Sequence, residues 1–229
     1  MNYLSHYYID SKPGNYYYNS ALFLPDFSRN YAKGFQNQQI ELNSHQKELQ
    51  LGCIAHLNAD KVFHPSPFFK NFTQIINDEL KNFELLAHLH RKWFLSHILF
   101  EMLIDRLLVK HFPSACHSFY NDLKLIDTKI LADFVLRFSN KNIDQFMRNF
   151  HHFCEVKYLF GYEYNDSFVF SIARVYKHAT TIEMSINDKF FLKEFINKIE
   201  KQYFYDPLII VAQLKQVFSI NSNEVKNNI

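Results

Sequence analysis

Trp93 to Lys110, WFLSHILFEMLIDRLLVK, is the stretch whose reading decides the fold. Taken as a helix it is apolar on nearly every side, and such a helix belongs in a protein interior. Three polar residues interrupt it: His97, Glu101 and Asp105. Their spacing of four stacks them turn above turn, in a line that drifts only slowly round the axis. Two carboxylates and an imidazole are costly in that setting unless their charge is compensated. A divalent metal ion is the simplest compensator.

Working back along the chain, a second helix from about Asn43 to Phe63 repeats the arrangement. Its inward stripe reads Leu49, Cys53, His56, Asp60, Phe63, so His56 and Asp60 stand where the pattern asks for apolar residues. Asp26 follows Pro25, which interrupts or opens a helix, and can reach the same place from a loop or a helix start. An HxxxD on one helix and an HxxxExxxD on another give mixed nitrogen and oxygen ligands. Such a set suits manganese, iron or zinc, and magnesium where carboxylates and water dominate. A metal held this way would acidify a bound water and neutralise phosphoryl oxygens, as phosphoester hydrolysis requires. The rival reading is structural. A single inward His is commonly hydrogen-bonded core, and Asp60, Glu101 and Asp105 could instead join a buried ion-pair network with Arg106 or Lys61.

Other candidates carry less. His151 and His152 are adjacent and point apart on a helix, as surface residues do. Cys53 lies one turn from His56, which suggests a thiolate, but an inward Cys on an apolar stripe is ordinarily inert. Tyr16-Tyr17-Tyr18 has no basic residues interleaved and reads as packing rather than base stacking. No Gly-rich phosphate loop or Gly-x-Ser-x-Gly elbow occurs.

Composition sets the frame. The chain of 229 residues is 48% hydrophobic and 21% charged, which suits a folded protein with a substantial core. With only 4 Gly and 6 Pro, long helices with short connections are easier to build than strands and turns. Helical periodicity also marks 2–9, 18–24, 68–86, 118–125, 127–138, 143–160, 166–178, 188–205 and 207–218. The expectation is one all-α, single-domain helical bundle over 1–220, followed by a polar tail, 221–229, that frays. A formal charge of +2 is too small to argue for nucleic acid. Cys53, Cys116 and Cys154 include no CxxC pair, which favours thiols in a reducing compartment. The opening MNYLSHYYID carries a His and an Asp where a signal peptide would place its apolar core. No apolar run nears 18 residues, so no membrane span is expected. A cytoplasmic protein follows.

Four segments, in order, resemble the acyl carrier protein phosphodiesterase family, all-helical relatives of the HD-type metal phosphohydrolases. Asn2 to His6, NYLSH, is similar to the family's opening Asn-Phe-Leu-Ala-His. Leu22 to Arg29, LFLPDFSR, is similar to its Leu-Leu-Ala-Asp-Phe-Val-Arg, with Asp26 on the Asp. Gly52 to Asp60, GCIAHLNAD, resembles Gly-Ile-x-x-His-Arg-x-Ile-Asp, matching His56 and Asp60. Leu99 to Phe112 resembles Leu-Asp-Val-x-x-Asp-His-Phe-Leu-x-x-His-Trp, with Glu101 for the first Asp and Asp105 on the second. A fainter likeness covers Tyr158 to Arg174.

The resemblance implies an HD-like helical fold and hydrolysis of the phosphodiester joining 4′-phosphopantetheine to a serine of holo-acyl carrier protein, assisted by Mn2+ or Mg2+, with Fe or Zn as alternatives. It makes Asp26, His56, Asp60 and Asp105 metal ligands or holders of the metal-bound water. Asp60 or a neighbouring carboxylate is then the base, and His6 supports the site from below. With the inward line of the central helix, the expected metal set is Asp26, His56, Asp60, His97, Glu101 and Asp105, with His6 and His64 in support. The chain departs from the family where His64 and Ser66 replace its Asp-x-His, and at His97, which has no family counterpart. Arg29, Lys33, Lys61, Arg91 and Lys92 could offer a basic surface to an acidic carrier. The alternative function is a non-catalytic helical interaction protein with a hydrogen-bonded polar interior.

Overall fold

Few turn formers and long apolar periodicities are realised as helix throughout. Among the described residues, the computed structural model has twelve α-helices and no strand, so the all-α class expected from sequence is the one adopted. It describes every residue except 29, 30, 38, 39, 140 and 227–229, and side chains as far as 219. In order the helices are α1 (Tyr3–Asp10), α2 (Tyr16–Ala21), α3 (Leu24–Phe27), α4 (Ser44–Phe63), α5 (Pro67–Asn82) and α6 (Lys92–His111). They continue as α7 (Pro113–Leu125), α8 (Thr128–Arg137), α9 (Asp144–Val156), α10 (Asn165–Thr180), α11 (Ile186–Tyr203) and α12 (Pro207–Lys226). These divide into two compact units, Met1–Lys61 with Phe112–Phe160, and Val62–His111 with Gly161–Ile229.

In the first unit α7 packs against α1, α2 and α9. Asp122 of α7 ties the first two helices down: the Tyr7 hydroxyl and the Asn19 amide each donate to its Oδ2 at 2.8 Å. The Phe-rich composition fills the space between. Phe23, fully buried, stacks on Phe153 at 5.3 Å and meets Phe119 edge-on at 5.5 Å. Pro25 sits in the first turn of α3, where a missing N–H costs nothing, and leaves Asp26 beside it. Gly52 lets α4 approach α2, since a Cβ there would lie 2.2 Å from the Tyr18 carbonyl oxygen. The helix expected over 143–160 is shorter in fact. It stops at Val156, Lys157 turns left-handed at φ 49°, and a 3-10 segment follows whose Leu159 N–H donates to the Tyr120 hydroxyl at 3.1 Å. That tertiary anchor overrides the periodicity.

In the second unit α6 packs against α5 and α10, α11 against α10, and α12 against α5. Phe100 lies flat on Phe72, with ring centres 5.1 Å apart, and meets Phe68 edge-on. Arg106 is buried in α6, yet it donates through Nε to Glu200 of α11 at 2.8 Å, hydrogen-bonds Asn165, and lies over the Phe168 ring at 4.7 Å. Its charge is answered by Glu200. Among the described ion pairs, Arg106 does not join the Asp60–Glu101–Asp105 network that the structural reading allowed. α12 extends to Lys226, into the segment expected to fray, and 227–229 lie outside the described residues. No helix among the described residues is long and apolar enough to cross a membrane.

α11 opens on a capping box in which Ser185 accepts from the Asp188 N–H and Asp188 accepts from the Ser185 N–H. Ser185→Ala removes one of these and should cost about 1 kcal/mol. A shifted urea midpoint with unchanged m-value would show it.

Candidate metal centre

α4 presents His56 and Asp60 one turn apart on its inward face, and α1 brings His6 against them. The His6 and His56 rings stack at 3.7 Å between centres, 21° from parallel. His56 is fixed from behind: its Nδ1 lies 2.8 Å from the Leu22 carbonyl oxygen, between α2 and α3. A carbonyl can only accept, so Nδ1 carries a proton and Nε2 is the atom turned forward, bearing the lone pair in the neutral ring. That lone pair faces Asp60 Oδ2 at 3.6 Å and Asp26 Oδ2 at 3.8 Å. Three acceptors converge. Acceptors at that range repel unless positive charge lies among them.

His6 adds a second sign. It is wholly buried, and neither ring nitrogen has a hydrogen-bond partner, although Nε2 comes within 3.2 Å of Asp60 Oδ1, off the line a hydrogen bond needs. The α-ammonium of Met1 also donates to Asp60 Oδ1, at 2.7 Å, a cation standing where the acceptors call for one. Burial pushes the Asp60 carboxyl up, but His6, the Met1 ammonium and His56 outweigh it and hold the group well below the usual carboxylate range. The donor chemistry fits a divalent ion: two imidazoles, one lone pair already aimed, and two carboxylates with Asp26 toward solvent at 42% exposure.

The second unit holds another convergence. His64, in the turn after α4, has its Nε2 3.0 Å from Glu101 Oε1, and His97 Nε2 is 3.2 Å from the same oxygen. The six residues expected around one point are therefore sorted differently among the described residues. His56 and Asp60 group with His6, and Asp26 lies alongside; His97 and Glu101 group with His64. Asp105 belongs to neither group, though fully buried. On one helix four residues turn through about 400°, so a four-residue line drifts about 40° per step. Glu101 still shares a face with His97.

Comparison with family models, curated proteins and solved structures finds no match for this chain. The geometry alone must carry the function.

One feature had no mark in the sequence. The Leu22 carbonyl is a backbone acceptor, which side-chain reading cannot see. His6 and His64, expected in support, each lie in one of the two groups whose ligand atoms could hold an ion. For His64 the signal was present, since it continues the His56–Asp60 spacing by four more residues. Cys53 is fully buried and its thiol is pushed well up by burial, so it is inert core. His151 and His152 are exposed. Pro25, Lys33, Phe35, Ile54, Leu57 and Lys61 line a cavity of about 470 Å³ beside α3 and α4. Arg29 falls outside the described residues.

Burial first, then the neighbouring His56, lowers the His6 imidazole from 6.5 to about 3. The unfolded chain therefore takes up this proton before the folded one does. The stability involved is present above about pH 6.5 and is lost as pH falls towards 3, at up to about 1.4 kcal/mol per pH unit. The depressed Asp60 carboxyl adds a loss of the same sign below about pH 4. In chelator-treated protein the urea midpoint should fall between pH 7 and 5, and His6→Gln should flatten that fall.

Proposed function

We propose that this chain is a metal-dependent phosphodiester hydrolase, acting like the acyl carrier protein phosphodiesterases to release 4′-phosphopantetheine from holo-acyl carrier protein. One observation carries the reading: the His56 Nε2 lone pair, aimed by the Leu22 carbonyl, faces two carboxylates. Asp26, His56 and Asp60, with His6, would hold the ion, Mn2+ or Mg2+ before Fe or Zn. Bound there, it supplies charge neutralisation for phosphoryl oxygens and an acidified water.

The rest falls to the chain. Asp60, ionised far below neutral pH, is a poor proton acceptor and serves as a holding group. Asp26, at the exposed side, would take the proton of an attacking water. Lys33 and Lys61 in the adjoining cavity attract the diester anion and give an acidic carrier protein its first contact. A cytoplasmic setting agrees with Cys53, Cys116 and Cys154 all remaining thiols.

A second reading has one observation in its favour. Asp60 is already paired with a cation, the Met1 ammonium, so the cluster could be a self-contained polar interior of an interaction protein. Assay of holo-carrier protein against generic phosphodiesters, with Mn2+ or Mg2+ added and then chelated, separates the two. Release that requires metal supports the hydrolase. Absence of both metal uptake at this site and diester cleavage supports the polar interior.

A further inference from the structure

The chain's own departures from the family pattern, His64 and His97, are the residues that meet in the second unit. Their ring nitrogens converge on a single oxygen of Glu101, at 3.0 and 3.2 Å, and all three ligand atoms lie within 4.8 Å of one another. A tetrahedral zinc ion with bonds of about 2.0–2.1 Å keeps its ligand atoms about 3.3 Å apart. The two edges to Glu101 come close to that figure.

The site is held from outside. Phe69, buried, stands edge-on to both imidazoles, 4.9 Å from the His64 ring and 4.8 Å from the His97 ring. The turn bearing His64 is tied by Ser66, whose N–H and hydroxyl both donate to the Phe63 carbonyl, at 3.0 and 2.6 Å. Its Oγ also caps α5 by accepting from the Phe69 N–H. His97 and Glu101 are a one-turn pair on α6, so the chelate is rigid before any ion arrives. Side-chain exposures of 35% for His64 and 34% for His97 leave solvent a way in.

We infer that His64, His97 and Glu101 form a second divalent-metal site, of the zinc type, with two imidazoles, one carboxylate and a position open to water. Two nitrogens against one oxygen make it softer than the first site, where His6 and His56 face two carboxylates, so zinc is preferred here over manganese or magnesium. The inference does not rest on the hydrolase reading.

The test uses the full chain, stripped with chelator and titrated with Zn2+ against a chromophoric competitor, and separately with Co2+ followed by visible absorption. Wild type should take up a zinc equivalent that His97→Ala and Glu101→Gln lose and Asp60→Asn retains, with Co2+ giving the intense bands of a four-coordinate ion. His64→Ala, in a turn rather than within α6, should lose the same equivalent and guards against a misfolded α6 variant. Equal zinc uptake in wild type and all three variants would overturn the site. So would uptake that vanishes only with Asp60→Asn, which would instead assign the ion to the first site and leave the hydrolase reading standing.

Discussion

His56→Ala and Asp60→Asn should each lower phosphodiester turnover by about 10³-fold or more, since even residues that merely orient a metal ligand cost 10–100-fold when removed. The two substitutions act differently. His56→Ala deletes the aimed lone pair and leaves the Leu22 carbonyl without its donor, so it should also lower stability by about 1–3 kcal/mol. Asp60→Asn keeps the shape but removes the anion that His6, His56 and the Met1 ammonium surround, so metal uptake at this site should fall with little change in helicity. Asp26→Asn supplies the contrast. Being 3.8 Å from His56 and half-exposed, it should slow turnover and weaken the ion less, and a pH–rate profile that loses its acidic limb would mark it as the proton acceptor. Full activity in either His56→Ala or Asp60→Asn would remove those residues from the mechanism.

The sequence made some of this visible and hid the rest for physical reasons. Polar residues at inward helical positions are legible because burial is costly to charge; that logic found His56 and Asp60 on α4 and the His97–Glu101 pair on α6. The third member of the α6 line, Asp105, is fully buried as that logic expects. The same logic treated α6 as interior along its whole polar line, whereas His97 is about one third exposed. The helices themselves were legible from periodicity and from scarce glycine. Their ends were less so: nothing in a lysine announces the left-handed turn at Lys157, which is stabilised by the Tyr120–Leu159 bond formed across 39 residues. The division into two interleaved units left no trace in composition, because each is assembled from two separated stretches of the same helical pattern.

Gly52→Ala should destabilise the protein by about 2–3 kcal/mol, although alanine is the better helix former by about 1 kcal/mol. A Cβ at this position would lie 2.2 Å from the Tyr18 carbonyl oxygen and 2.7 Å from the Ala21 Cβ. The first of those atoms is backbone, so no rotamer change relieves the overlap and α2 must move away from α4. For a chain of this size that loss lowers Tm by roughly 4–12 °C. The displacement reaches the metal centre, because Leu22 directly follows α2 and its carbonyl sets the His56 ring from the opposing helix. The variant should therefore bind metal at the first site more weakly, and zinc at the His64–His97–Glu101 site as wild type does. Thermal melts with chelator and metal titrations of the same samples measure both effects. Wild-type stability together with wild-type affinity at the first site would mean that α2 and α4 do not meet at Gly52, and that the Leu22 carbonyl does not govern where His56 points.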